Sequence, residues 1–225
     1  MQDYSLFDII GPVMIGPSSS HTAGASKIGH MAAQIFDGQI AQVDFFLHGS
    51  FYKTAKGHGT DKALLAGIMK MEPDDLRIKD AFDIAKENGL TYRFLEADLG
   101  EVHPNTVKIE MTGKDGKTEA VIGSSIGAAK ILITQIGDTE VEVNGDYCTL
   151  ITTHIDKPGM IAKVSAVLAE HRINIAFMKV FRQNRGDTAS LIVQVDEFSG
   201  EDVLKEIERI DGIQSVKLIK ALEVN

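Results

Sequence analysis

Three consecutive hydroxyls and a histidine stand in the segment Gly16-Pro17-Ser18-Ser19-Ser20-His21-Thr22, just ahead of a stretch with helical periodicity. Unsatisfied backbone N–H groups at a helix start, the positive end of the helix dipole and several hydroxyl donors together make a receptor for a carboxylate or phosphate. Capping a helix requires only one Ser or Thr. Ser18, Ser19, Ser20 and His21 are therefore read as an anion-binding group. A second segment, Lys56-Gly57-His58-Gly59-Thr60-Asp61, sets a histidine between two glycines ahead of a helix capped by Thr60 or Asp61. Backbone of that kind can approach a ligand, and an imidazole titrating near ~6.5 suits proton transfer at neutral pH. A surface-loop histidine is the alternative. The third segment, His103-Pro104-Asn105-Thr106, leads into a strand and can contribute the Asn105 amide.

Other chemistries are excluded by the same reasoning. Gly123-Ser124-Ser125-Ile126-Gly127 fits the spacing of a nucleophile elbow, but that motif needs a strand-to-helix turn with an acid and a histidine following. Here Lys130 to Ile136 reads as strand, and His154 and His171 fall in the second half of the chain. His21, His58 and His103 come without a closely spaced His pair or a Glu-rich helix, so no metal site is expected in this chain. Cys148 is the one cysteine. It allows no intrachain disulfide, no Cys-rich zinc site and no iron–sulfur cluster held by this chain alone, and is read as a small buried apolar residue.

These segments need a framework, and the chain supplies it in two halves. The fold class expected is α+β, with a mixed α/β domain over residues 1–145 and a ferredoxin-like βαββαβ domain over residues 148–225. The boundary falls around Asn144 to Tyr147, in an acidic stretch bounded by turn residues. In the first half, Ser20 to Phe36 carries Ile28, Met31, Ala32 and Ile35 on one helical face. Gln42 to His48 reads as a buried strand, Asp61 to Met71 as a helix, and Asp74 to Asn88 as another. Tyr92 to Ala97 is a strand, and Thr106 to Thr112 forms a hairpin with Thr118 to Gly123 across Lys114-Asp115-Gly116-Lys117. In the second half, Cys148 to Ile155 is a strand and Pro158-Gly159 opens a helix with Ile161, Val164, Val167 and Leu168 aligned. Ile173 to Phe181 follows as a strand, with a turn at Asn184 to Asp187 into Ala189 to Val195. Ser199 caps a helix carrying Val203, Leu204, Ile207 and Ile210, and Ile213 to Lys220 is the last strand.

Composition narrows the class further. The 225 residues carry 23 Lys plus Arg against 32 Asp plus Glu, a formal charge of -9. So acidic a surface repels phosphate backbones and anionic lipid, which argues against nucleic-acid and membrane partners. No apolar run approaches the roughly 18 residues of a membrane span. Asp3 and Asp8 stand where a signal peptide would be basic, so a cytoplasmic protein is expected.

The second half, from about Cys148 to Leu222, resembles an ACT domain, a small-molecule-sensing module attached to many enzymes of amino-acid metabolism. The resemblance rests on Asp156-Lys157-Pro158-Gly159 followed by the apolar helix, and on Asn174. It implies that such modules pair side by side, so that self-association through this half is expected, aided by an exposed edge strand. It also implies an effector site at the first strand–helix loop, with Asp156, Gly159, Met160 and Asn174 as its contact residues. Gly159 lets backbone approach a ligand, and the helix start favours a carboxylate.

The three segments of the first half, followed by this tail, resemble the beta subunit of iron–sulfur-dependent L-serine dehydratases over essentially the whole chain. The first half also looks like the allosteric substrate-binding domain of some phosphoglycerate dehydrogenases. The dehydratase resemblance implies an L-serine ammonia-lyase of amino-acid catabolism and gluconeogenesis, producing pyruvate and ammonia. It further implies a cysteine-bearing catalytic alpha subunit that holds a 4Fe-4S cluster, one iron of which acts as Lewis acid on the substrate hydroxyl. In that scheme Ser18, Ser19, Ser20 and His21 hold the carboxylate of L-serine with Asn105 as helper. His58 removes the α-proton, and this chain is inactive alone. Two other readings stay open: a non-catalytic regulatory subunit that binds serine, and an isolated amino-acid sensor.

Overall fold

The computed structural model describes residues 14–36, 38–182, 186–198 and 200–222. They form two compact units, residues 14–144 and Gly145–Leu222. The first unit begins with a π-helical turn, Ser19–Ala23, that runs into helix α1, Gly24–Ile35. Strand β1 (Ile40–Leu47) follows, then helices α2 (Gly49–Lys53), α3 (Ala55–His58) and α4 (Thr60–Ile68), a 3-10 turn (Leu76–Asp80) and α5 (Ala81–Glu87). Strands β2 (Thr91–Glu96), β3 (Thr106–Gly113), β4 (Thr118–Gly127), β5 (Lys130–Ile136) and β6 (Thr139–Val143) complete it. The sheet order is β2-β1-β3-β4-β5-β6, parallel between β1 and β2 and antiparallel elsewhere. This is the expected mixed sheet.

Alternation explains why β3 forms a strand and which way it faces. Val107, Ile109 and Met111 are buried while Lys108, Glu110 and Thr112 are not, as one-sided burial of a pleated strand requires. Ile28, Met31, Ala32 and Ile35 line the fully buried face of α1, as their spacing predicts. That helix crosses α4 at two glycines. A Cβ on Gly29 would lie 2.3 Å from Leu64 O, and one on Gly67 would lie 2.1 Å from Ser26 O. Only bare backbone on both helices permits so close a crossing, and it sets α1 against the second half of α4.

Two local expectations are corrected. The single helix expected over Asp74 to Asn88 is broken into a 3-10 turn and α5. Asp75 caps the turn through the Arg77 N–H at 2.9 Å, and the Ile78–Ala81 spacing of three suits a 3-10 repeat as well as an α-helix. The strand begun at Thr118 runs on to Gly127, so the Ser124-Ser125 pair lies in an antiparallel strand and not at a strand-to-helix elbow.

The second unit contains β7 (Cys148–Ile155), α6 (Met160–Glu170), β8 (Ile175–Arg182), β9 (Thr188–Val195), α7 (Glu201–Glu208) and β10 (Ile213–Ile219). Its antiparallel sheet has the order β10-β7-β9-β8, the βαββαβ arrangement expected. Leu150, Leu191, Val193 and Val195 from the sheet meet Val164, Leu168, Val203 and Ile207 from the helices in one core. Ile161, expected in that core, is 43% exposed, and Met160 is buried in its place. The face of α6 thus begins one residue earlier than expected, at Met160, Val164 and Val167. Ser199 and, in the Asn184 to Asp187 turn, Asn184 and Arg185 lie outside the described residues.

Candidate active site

The Ser-rich segment does not merely precede a helix; it is the first turn of one. The Ser18 side chain accepts the His21 N–H at 3.1 Å, and the Gly24 N–H reaches Ser19 O, the i−5 bond that makes the turn π-helical. Single π turns of this kind concentrate at functional sites. The widened turn brings His21 over Phe51, ring centroids 5.5 Å apart edge-on, and beside His58, centroids 4.9 Å apart at 63°. The hydroxyls of Ser19 and Ser20 make no hydrogen bond among the described residues, and both side chains are half-buried.

His58 ends α3. Gly59, at φ +70, takes the left-handed conformation that stops the helix and directs the chain into α4. Contrary to expectation, neither Thr60 nor Asp61 caps α4; Gly59 occupies the N-cap position with no side-chain bond. Thr22 Oγ1 donates to His58 O at 3.1 Å, tying the π turn to this corner. Among the described residues, three buried polar atoms have no hydrogen-bond partner: His58 Nδ1, Thr60 Oγ1 and Ser125 Oγ. All three belong to elements packed against the π turn. An unpaired buried polar atom costs roughly 1–3 kcal/mol, so these three atoms call for an explanation.

Burial sets the charge state of His21. Desolvation, with a smaller contribution from neighbouring His58, holds the His21 ring below its ordinary value of 6.5. His21 is therefore a neutral imidazole at neutral pH. One of its nitrogens faces Ser18 Oγ at 3.4 Å, through Nδ1, and the other faces Ser50 Oγ at 3.0 Å, through Nε2.

The third expected segment supports the site from behind. Pro104 O accepts the N–H groups of Ser50 at 2.8 Å and Phe51 at 3.4 Å. Asn105 bonds to β4: its C=O accepts the Ser125 N–H at 3.0 Å and its Nδ2 donates to Ser125 O at 3.5 Å. His103 is exposed, and its Nδ1 accepts the Asn105 N–H at 3.1 Å. The structure brings His21 and His58 into ring contact beside the turn that carries Ser18, Ser19 and Ser20, and it adds Ser50, Phe51 and Thr22, which were not among the expected site residues. Ser50 had one signal: it follows a strand end through Gly49, whose φ is +55 and whose added Cβ would meet Pro104 O at 2.8 Å.

In the second unit a cleft of 380 Å³ is lined by His154, Asp156, Gly159, Met160 and Arg182, among others. Asp156 accepts the Gly186 N–H at 2.9 Å and an Arg182 Nη1–H at 3.2 Å, and these bonds hold its carboxyl below the usual range. Gly159, at φ +90, would place a Cβ in open space. Of the expected effector residues, Asp156, Gly159 and Met160 meet here. Asn174 does not: it bonds Asp196 at 2.9 Å, just before β8, whereas the cleft meets that strand at Val180 and Arg182. At about 3.3 Å per strand residue the separation is roughly 20 Å or more. Among the described residues no group of three His, Cys, Asp or Glu side chains can hold a metal ion, and no helix is long and apolar enough to cross a membrane.

The model of the serine dehydratase beta chain family matches residues 5–93, and that of the ACT domain matches residues 149–212. The chain is 41% identical to the L-serine dehydratase beta chain of Peptoniphilus asaccharolyticus over 221 residues, 98% of this chain and 100% of that protein. It is 41% identical to a probable L-serine dehydratase beta chain of Bacillus subtilis (strain 168), over 97% of this chain and 99% of that protein. The D-3-phosphoglycerate dehydrogenase of the same Bacillus strain is 29% identical over 87% of this chain, which spans 37% of that enzyme.

Proposed function

The chain belongs to the serine dehydratase beta chain family and carries an ACT domain, and from that membership we propose that it is the beta subunit of a heteromeric L-serine ammonia-lyase. The observation that carries this reading is the His21–His58 pair, in edge contact on and beside a π turn that Ser18 caps and Ser19 and Ser20 open, with His58 Nδ1 buried and without a partner among the described residues. The turn holds the substrate carboxylate: Ser19 and Ser20 supply hydroxyl donors, and the helix start supplies favourable field. His58 accepts the α-proton. Breaking Cα–H and the β C–O bond releases water and leaves aminoacrylate, which tautomerises and hydrolyses to pyruvate and ammonia.

An iron–sulfur cluster requires several cysteine thiolates. This chain has Cys148 alone, and no group of ligating side chains among the described residues replaces them. These residues do not fit a cluster, so in this reading the cluster and the departure of the hydroxyl belong to a cysteine-bearing alpha partner.

The match to a dehydrogenase over most of this chain favours a second reading, in which the same turn binds serine as an effector. One experiment separates the two. With the complex reconstituted anaerobically from this chain and a cysteine-bearing partner, His58→Ala is expected to lower turnover about 10²- to 10⁴-fold, with serine binding retained. Near-normal turnover with iron and serine binding unchanged removes His58 from the base role and favours the effector reading.

A further inference from the structure

We propose that Ser50 is a positioning residue for His21, holding the ring in the tautomer that carries its proton on Nε2. The inference rests on the functional reading above, since His21 belongs to the same site, and it divides the labour within the histidine pair.

A neutral imidazole has one donor nitrogen and one acceptor nitrogen. Ser18 Oγ already accepts the His21 backbone N–H at 3.1 Å. Its own O–H is free to be donated to Nδ1, 3.4 Å away, an arrangement in which Ser18 Oγ both donates and accepts at His21. An Nδ1 that accepts leaves the ring proton on Nε2, and Ser50 Oγ stands 3.0 Å from Nε2 to receive it. Both nitrogens of His21 are then engaged by hydroxyls, so the ring offers the substrate no free basic nitrogen. His58, whose Nδ1 has no partner among the described residues, is left as the proton acceptor.

Ser50 is well placed for this task. Its backbone N–H donates to Pro104 O at 2.8 Å, and its carbonyl accepts Thr54 Oγ1–H at 2.8 Å. Gly49, in the left-handed region, lets the strand end turn tightly against Pro104. A hydroxyl held on both sides by backbone bonds is already oriented before the ring needs it. Helix capping does not account for the side chain, because α2 has no side-chain cap bond and the partner of Ser50 Oγ is 29 residues away.

Long-range ¹H–¹⁵N correlation spectra of the histidine rings test this in the full chain, with wild type, Ser50→Ala and Ser50→Thr. Wild-type His21 is expected as a single Nε2–H tautomer. Ser50→Ala is expected to give mixed tautomers, and Ser50→Thr, which keeps the hydroxyl, to restore the single form. In the reconstituted complex, Ser50→Ala is expected to lower kcat/KM for L-serine about fivefold to tenfold, the loss of one hydrogen bond, with Ser50→Thr recovering most of it. A wild-type proton on Nδ1, or an unchanged tautomer in folded Ser50→Ala, overturns the proposal. Should Ser50→Ala fail to fold, the other two spectra decide: Nε2–H in both upholds it, and Nδ1–H in wild type overturns it. The ring spectra need no turnover. A complex that fails to dehydrate serine therefore counts against the functional reading and leaves the tautomer result to be judged by itself.

Discussion

Replacing Gly67 by Ala adds one methyl group at the α1–α4 crossing and tests whether that crossing holds the site together. The new Cβ would sit 2.1 Å from Ser26 O, 2.7 Å from His30 N and 3.0 Å from Gly29 Cα, backbone atoms all. Ordinary contact begins at 3.4 Å, so α1 must retreat by 3.4 minus 2.1, or 1.3 Å, to admit it. Against the clash stands the helix propensity of Ala over Gly, worth about 0.8–1.0 kcal/mol. Overpacking a close-packed contact costs about 1–3 kcal/mol, and the upper end applies where no neighbouring side chain can swing away. The balance is a loss of roughly 2 kcal/mol, which lowers the Tm of the first unit by about 4–8 °C. Because α1 and α4 begin at the π turn and beside His58, a shift of this size also misplaces the histidine pair, at a cost of about 10²-fold in turnover. The internal control is Gly57→Ala. That Cβ meets nothing within 4 Å, so the same change there is expected to leave Tm level or slightly raised. Thermal unfolding of the full chain followed by circular dichroism, with pyruvate release from the reconstituted complex, reads both effects. A Gly67→Ala chain with undiminished Tm and normal turnover refutes the argument.

Further outcomes follow from the same geometry. Ser18→Ala loses the helix cap and is expected to cost about 1 kcal/mol, whereas Ser18→Asp keeps the cap but sets a carboxylate where the proposal puts the substrate carboxylate. Stability recovered in Ser18→Asp without recovery of serine affinity, by calorimetry on the complex, is expected; equal affinity contradicts the proposed anion site. Burial holds both His21 and His154 below their ordinary 6.5. The unfolded chain therefore takes up protons there first, so stability is complete above about 6.5 and declines as pH falls toward the lower folded values. Urea unfolding at pH 7 and pH 5 checks the sign, and a chain more stable at pH 5 contradicts it. Gly159→Ala has room for its methyl but not the φ of +90, and is expected to cost the second unit about 1–2 kcal/mol, measured by its unfolding midpoint.

Much of the framework was legible in the sequence because its signals are local. The alternation of Val107, Ile109 and Met111 and the helical stripe of Ile28, Met31 and Ile35 each name an element and its buried face. The site was legible only as residue types. Three serines and a histidine at a helix start raise the expectation of an anion, and a histidine between glycines that of a close approach. What hid was whatever depends on distant chain. Ser50 reaches His21 across 29 residues, and no periodicity reports such a contact. The π turn hid for a different reason, since it turns on one hydrogen bond shifted from i−4 to i−5, a choice made by packing against β4 and α4. The Ile78–Ala81 spacing misled because a step of three fits two kinds of helix, and Asn174 because the length of β8 separates it from the loop it was grouped with.

At the centre of the account stands a division of labour, in which this chain binds the substrate and accepts its proton while the metal centre comes on another polypeptide. Pyruvate formation from L-serine under argon, measured for this chain alone and for the chain co-expressed with a cysteine-bearing partner, tests it most directly. The account predicts no turnover from the chain alone and turnover from the complex that collapses in His58→Ala. Serine deamination by the purified chain alone would contradict it.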